Sequence, residues 1–482
     1  MKDFPFYLEK NGEVGYADEI VSSVVYASGL PEASPNELVI FETGEIGQVI
    51  SLGSKYVEIL LLSHSQVKVG TRLARAGSVL EVPVGEFLLG NVVSPLGRML
   101  STPFGQTEKR KIDIHPEGLT AREVVETPFE TGVAMVDLVV PLGMGQRELV
   151  IGNRKTGKSA FLLQVILNQA RRGNICVYAG IGMKHHDLKS LSQFFKEQQI
   201  EKNTVLVASN ASDPPGLIYL APYTAMTVAE YFRDRGKNVL VILDDLTTHA
   251  ESYREISLLA RRFPGRNSYP GDIFYIHSRL LERSGNFKNG SITCLPVAES
   301  ILGDLSGYIQ TNLMSMTDGH IYFDNDLYDQ GRRPAINPLL SVTRVGLQTQ
   351  TGLLRDISRV LTGFIVQNDK LRQYLHFGAE LSESVRQTLD MGERVLAFLD
   401  QKPEEIIPTN INILIFSGLW AGIWRGIPID KMKTDMRALI AKFYKDQSFA
   451  KEVNDLVASS PNFNDLLGKI KRGTKVFGEL QS

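Results

Sequence analysis

Residues Gly152 to Gln164 read GNRKTGKSAFLLQ, which fits the spacing G-x-x-x-x-G-K-[ST] of a phosphate-cradling loop. Each fixed position has a task. Gly152 and Gly157 let the backbone wrap a phosphate closely, Lys158 brings positive charge to the β and γ phosphates, and the Ser159 hydroxyl can hold Mg²⁺. The apolar run that follows predicts a helix whose N-terminus points at the anion. A second oxygen ligand for the metal is expected at the end of a strand. VLVILDD supplies it, with Asp244 closing an apolar run and Asp245 next. Such a carboxylate is commonplace in isolation; downstream of a phosphate loop it reads as a Mg²⁺ contact. A loop of this kind binds a nucleotide, and whether the nucleotide is cleaved is a separate question.

Positioning these residues requires strands that end at the site and helices that begin there. The middle of the chain, about 78–350, alternates the two. RELVIG precedes the loop and KSAFLLQVILNQARRG follows it; then come NICVYAGIG, TVLVASNA, a helix around APYTAMTVAEYFRDRG, KNVLVILDD and SITCLPVAE. Strands rich in Val, Ile and Leu separated by helices predict a parallel sheet covered on both faces. Before it, residues 1–77 hold short alternating runs broken by Gly, Pro and Asn, the pattern of a small β-barrel, with no helix-length periodic segment. From 351 to 482 the pattern is helical, through DISRVLTGFIVQNDKLRQYLHFGAEL, SESVRQTLDMGERVLAFLD and KMKTDMRALIAKFYKD. The fold class expected is therefore multi-domain α/β: a β-barrel, a parallel-sheet nucleotide domain and a helical domain.

Composition excludes several classes. The 482 residues are 43% hydrophobic and 22% charged with a net charge of −2, which offers no basic face for nucleic acid. Cys176 and Cys294 are far apart in apolar runs and read as buried reduced thiols rather than a redox or metal pair. The start, MKDFPFYLEKNGEVG, has no apolar or Arg/Ser-rich targeting character. The run Ile411 to Trp424 is shorter than the roughly 20 apolar residues of a span and contains Asn412, so it reads as a buried helix.

The chain resembles the alpha subunit of the rotary F-type ATP synthase over nearly its whole length from Gly12. The resemblance rests on VPVGEFLLGNVVSPLGR, TGVAMVDLVVPLGMGQRELVIGNRKTGKSA, LIYLAPYTAMTVAEYFRDRGKNVLVILDDL, PGDIFYIHSRLLERSG and GRRPAINPLLSVTRVG. The family's short signature ends Ser-Val-Ser; here it ends on Thr343. The resemblance implies three such chains alternating with three catalytic beta chains around a central gamma shaft, on ATP or ADP with Mg²⁺. It implies a peripheral place on the cytoplasmic face of the membrane, touching the membrane only through the complex. Motif by motif, Gly152, Arg154, Lys155, Thr156, Gly157, Lys158, Ser159 and Ala160 fall on the nucleotide loop, with Ser159 and Asp244 on the Mg²⁺ side. Arg333 and Gln401 fall where the family contacts adenine, and Pro403 replaces the second adenine glutamine.

The same resemblance addresses cleavage. Hydrolysis needs a group that orients the attacking water. Beta subunits carry a glutamate after the strand VYAGIG and alpha subunits a glutamine; here Met183 stands there. A thioether is at best a weak acceptor, so Met183 reads as a gap-filler in a non-reacting site. Asp245 is matched by the family's own acid pair, and Asp187 is the only other nearby candidate. His185 and His186 read as a solvated turn rather than metal ligands. Chemistry is expected in trans: SVTRVG places Arg344 at the family's arginine finger, suited to the spread charge of a transferring phosphoryl group. Ser315 and Asp318 match the same intersubunit pattern.

Two departures accompany these matches. The chain starts close to the first barrel strand, so a delta- or b-type stalk is not expected to dock on the usual N-terminal helix. Gln310 stands where the family normally has proline. A stand-alone ATPase motor would need the glutamate that Met183 replaces. The alternative that survives is an alpha-like subunit of a related hexameric ATPase used for motility, secretion or remodelling.

Overall fold

The computed structural model describes residues 3–64, 66–99, 107–301, 303–375, 382–403, 405–473 and 476–477. His376 to Leu381, read above as the end of a helix, lie outside them. The chain divides into two compact units, one of residues 1–123, 170–300 and 304–317, the other of 124–169, 301–303 and 318–482.

The first unit opens with a closed six-stranded antiparallel barrel: β1 Gly15–Val21, β2 Val24–Ser28, β3 Glu37–Phe41, β4 Ile46–Leu52, β5 Val57–Leu61 and β6 Arg72–Val79, in the order β1-β2-β5-β4-β3-β6. Val25, Val39, Phe41, Val49, Ile59 and Leu73 fill its interior without exposed surface. One expectation is corrected here: a helix, Phe4–Asn11, precedes β1. Pro5 sits in its first turn and Gly12, left-handed at φ 69°, ends it with an N–H donated to the Leu8 carbonyl at 2.9 Å. Asn11 Nδ2 donates to the Arg75 carbonyl at 2.6 Å, and the Arg72 guanidinium lies over the Phe4 ring. Eight residues with one buried side chain give little periodicity to read, and packing on β6 supplies what local propensity does not.

The same unit holds parallel strands in the order Gly290–Glu299, Asn238–Asp244, Ile175–Met183, Thr204–Asn210 and Val92–Val93. Near-continuous apolar runs and burial on both faces go together in such a sheet. The helix Pro215–Arg233 is buried along most of its length. One buried ion pair ties it to its surroundings. Arg283, 2% exposed, gives Nε and Nη2 to the two Glu230 carboxylate oxygens at 2.8 and 2.7 Å, Nη2 also to Thr227 Oγ1, and Nη1 to the Ile112 carbonyl.

The second unit has strand Leu149–Gly152 parallel to Gly319–Phe323, which pairs antiparallel with Val342–Thr343. Helices Gly352–Leu375, Glu383–Leu399, Thr409–Ala421, Ile429–Lys445, Gln447–Ala458 and Phe463–Lys471 form its C-terminal part. The apolar run from Ile411 is the helix Thr409–Ala421, buried along nearly its whole length. Among the described residues no helix is long and apolar enough to cross a membrane.

Glu230→Gln leaves Arg283 buried without its counter-charge. The expected loss is about 3–5 kcal/mol, the range for breaking a buried pair from one side. The check is the shift of the urea unfolding midpoint at unchanged slope.

Candidate nucleotide site

The strand Leu149–Gly152 hands directly to the loop, and the helix Lys158–Arg171 begins where the loop ends. Gly152 is demanded by packing: a Cβ there would lie 2.5 Å from the Phe323 carbonyl oxygen on the paired strand. The loop turns through left-handed Lys155 (φ 64°) and Gly157 (φ 96°). Lys158 is buried and its ammonium is drawn into the loop, donating to the Gly152 and Asn153 carbonyls at 2.6 Å each. Thr156 Oγ1 donates to the Asn153 carbonyl at 2.8 Å, and Asn153 Oδ1 accepts from Gly303 N–H at 2.9 Å. Arg154, Lys155 and Ser159 are exposed, with Ala160 behind them in the first turn. One short loop thus carries three cationic side chains and leads into a helix N-terminus, an arrangement suited to a polyphosphate.

In the first unit, Asp244 ends its strand and accepts a hydrogen bond from the Tyr178 hydroxyl of the neighbouring strand. Burial and the adjacent carboxylates push the Tyr178 phenol well up, so it stays a neutral donor. Asp245 caps the helix Leu246–Leu259, accepting from Thr248 N–H at 2.6 Å. It keeps some exposed surface yet is crowded by protein. That burial, reinforced by Asp244 and opposed by the Thr248 hydrogen bonds, pushes its carboxyl up to about 7.

Met183 ends the strand Ile175–Met183, and its carbonyl accepts from Ala211 N–H at 2.9 Å. Its side chain folds back on its own strand: a Cβ on Gly180 would come within 2.7 Å of the Met183 sulfur. His185, His186 and Asp187 were expected in a turn and instead form the first turn of the helix His185–Glu197. His186 and Asp187 are exposed, 3.6 Å apart. Among the described residues no three His, Cys, Asp or Glu side chains are grouped to hold a metal ion.

Arg333 and Gln401 are brought together in the second unit, where Gln401 N–H donates to the Arg333 carbonyl at 2.7 Å. The Arg333 guanidinium stacks 3.7 Å over the Tyr328 ring and donates to the Tyr328 and Arg332 carbonyls. A cavity of about 220 Å³ opens beside it, lined by Met135, Arg332, Pro334, Leu399 and Asp400 among others. That is below the roughly 300–1,000 Å³ of whole-ligand pockets. The Gln401 amide is fully engaged. Its oxygen accepts from Ala134 N–H at 3.0 Å, and its nitrogen donates to the Gly132 and Glu405 carbonyls at 2.7 and 2.5 Å. The turn it clasps is also held by Asp137, which accepts from Thr131 N–H, Thr131 Oγ1 and Gly132 N–H. Burial outweighs those hydrogen bonds and pushes the Asp137 carboxyl up to about 7. Pro403 is exposed in the segment after Gln401.

Arg344 is exposed, but its backbone is fixed: its N–H donates to the Asp318 carbonyl at 2.9 Å. The Asp318 carboxylate takes Arg147 Nη2 on one oxygen at 2.9 Å, and Arg147 Nε and N–H on the other at 3.1 and 2.9 Å. Thr343, the signature departure, keeps a hydroxyl in use, donating to the Pro141 carbonyl at 2.8 Å. Ser315 is exposed on the helix Tyr308–Met316, its hydroxyl turned to the Asn312 carbonyl. Gln310 lies in that helix's first turn, where proline is also tolerated, and Nε2 donates to the Glu299 carbonyl at 2.5 Å. Tyr178, Arg147 and Gln146 had no signal in the sequence. Tyr178 and Arg147 act on partners set by strand pairing, and Gln146 reaches Thr343 in the same way, which spacing along the chain does not reveal.

Two family models match this chain. Residues 132–343 match the ATP synthase alpha/beta family, nucleotide-binding domain, and residues 350–472 match the ATP synthase alpha/beta chain, C terminal domain. The chain is 38% identical over 483 aligned residues to a protein of Petrotoga mobilis named ATP synthase subunit alpha, covering 97% of this chain and 92% of that one.

The Asp245 environment sets a pH dependence. Its carboxyl is raised in the folded state, so its contribution to stability is full below about pH 4 and is lost as pH rises through about 7. Asn caps a helix as well as Asp does. Asp245→Asn should therefore gain on the parent protein by on the order of 1–3 kcal/mol between pH 5 and pH 8. Urea unfolding of both proteins at the two pH values is the test. An equal difference at both would remove the raised carboxyl from the account.

Proposed function

Because the chain belongs to the ATP synthase alpha/beta family, among the alpha subunits of the F-type enzyme, we propose that it holds Mg-ATP without turning it over. We further propose that it supplies Arg344 to a nucleotide bound on a neighbouring beta chain. In this reading three copies alternate with three beta chains around a gamma shaft, at the cytoplasmic face of a membrane. A delta- or b-type stalk is the remaining partner, and the assembly couples ATP synthesis or hydrolysis to ion transport.

What supports the proposal is a complete phosphate loop in a chain whose motifs match Met183 to the family's water-orienting group. The loop has its left-handed Lys155 and Gly157, its buried Lys158 and a helix starting at Lys158. The Met183 side chain packs back over Gly180 and offers a thioether, which neither takes a proton nor orients water well. The Ser159 hydroxyl and Asp244 carboxylate are oxygen donors, the set that Mg²⁺ prefers. The bound ion would neutralise phosphate charge. Arg333 and Gln401 are assigned to the adenine end. A direct contact from the Gln401 amide would have to exchange one of its present backbone partners, so its first contribution is to hold the turn at Gly132.

Arg344 suits action on a neighbour because its backbone is pinned by Asp318 while its side chain is exposed. A guanidinium matches the spread charge of the transferring phosphoryl group, which is greater in the transition state than in the ground state. Arg344→Ala in a complex assembled with beta and gamma chains should lower turnover per hexamer by about 10³-fold or more. Nucleotide affinity at the chain's own loop should be unchanged, and Arg344→Lys should rescue poorly. Native mass confirms assembly. A well-assembled Arg344→Ala complex that keeps more than about a tenth of parental turnover would sink the trans-acting role. The purified chain alone should release phosphate more slowly than about 1 per second, the lower edge of ordinary enzyme rates, in a quench-flow assay.

A further inference from the structure

Glu148 has no exposed surface, and its Oε1 has no hydrogen-bond partner. It precedes the strand Leu149–Gly152, whose register pairs Leu149 with His320. Glu148 is therefore level with Gly319, and Gly319 pairs on its other side with Thr343. The absent side chain of Gly319 is what lets the carboxylate pass. A Cβ there would lie 2.7 and 2.8 Å from the two Glu148 oxygens and 2.1 Å from the Val342 carbonyl oxygen. Glu148 thus runs across the face of Gly319 toward the Thr343–Arg344 segment.

One side of the carboxylate is clamped. Gln146 Nε2 donates to Glu148 Oε2 at 2.7 Å and to Thr343 Oγ1 at 3.3 Å, while Gln146 Oε1 accepts from Gly143 N–H at 2.8 Å. The charged groups that act on Glu148 are Asp318, which disfavours its ionised form, and Arg344, which favours it. Asp318 is itself bound to Arg147. Burial, the largest influence, holds the Glu148 carboxyl well above the usual carboxylate range. A buried carboxyl with an unpartnered oxygen destabilises a fold, and a neutral side chain of the same shape serves packing as well or better. Stability is therefore a poor reason for an acid at this place.

We propose that Glu148 is a positioning residue for Arg344: clamped by Gln146 and passing over Gly319, its free oxygen is an anchor, ionised when the guanidinium closes on it, that fixes the direction in which this exposed side chain leaves the chain. This rests on the reading of Arg344 as a trans-acting finger. A long side chain fixed at its backbone alone samples many rotamers. A counter-charge behind it narrows them before the neighbour's nucleotide arrives, and misplacement of a positioning group by about 1 Å can cost about 10² in rate.

Four complexes with beta and gamma chains test it: parent, Glu148→Gln, Arg344→Ala and the double variant. Glu148→Gln should lower kcat by about tenfold or more, with KM for Mg-ATP within about twofold. Its melting temperature should equal or exceed the parent's. In the double variant Glu148→Gln should add nothing to Arg344→Ala, because the group it positions is gone. An equal loss in both backgrounds, parental turnover in the single variant, or a lowered melting temperature accompanying the loss would overturn the positioning role and leave the finger intact. Near-parental turnover of Arg344→Ala would instead overturn the finger and this inference with it. Should Glu148→Gln fail to assemble, Gln146→Leu, which removes the clamp, is read by the same four-way comparison.

Discussion

The pairing of Leu149–Gly152 with Gly319–Phe323 is the constraint on which the second unit's chemistry depends. At one end of this short strand, Gly152 must be glycine because the Phe323 carbonyl occupies the space of a side chain, and the loop turns there. At the other end, Glu148 runs over Gly319 and Arg147 closes on Asp318. Four residues at about 3.3 Å each separate the two ends. A slip of one residue would turn every side chain to the opposite face and dismantle both. The phosphate loop and the Arg344 platform are thus two consequences of one register.

The protein keeps several acids that burial disfavours. Asp137, Asp245 and Glu148 all have raised carboxyls, each first because of burial. Two of them organise backbone. Asp137 gathers the Thr131 and Gly132 amides, and Asp245 caps the helix after Asp244. Those hydrogen bonds offset part of the desolvation. Glu148 differs because it accepts from one side-chain amide and leaves an oxygen bare. That asymmetry, not the raised carboxyl, separates a structural acid from one kept for what lies beside it.

Where the sequence reading and the structure part, the elements are short. The helix Phe4–Asn11 was missed because it is held by the barrel rather than by its own periodicity. His185 and His186 looked like a turn because the helix they begin has only Leu191 and Phe195 buried, both beyond its first turn. Gln310 and Thr343 looked like departures, yet each makes a hydrogen bond suited to its place. Gln401 was read as an adenine contact by motif, and its amide turns out to clasp three backbone groups.

The sequence by itself determined the phosphate loop, the apolar strands that lead to and from it, the barrel pattern of the first eighty residues and the helical end. All of these are periodicities or short spacings, and neighbours along the chain carry them. It also singled out Met183 and Arg344, because long motifs assign positions within a family. Only the tertiary structure decided what backs those residues. Tyr178 meets Asp244 through strand pairing, Gln146 joins Glu148 to Thr343 across about two hundred residues, and Asp318, just before the paired strand Gly319–Phe323, holds Arg147. The physical reason is that a hydrogen-bond partner depends on which strands are adjacent and in what register, and one chain's local pattern is compatible with many such pairings until the core is packed.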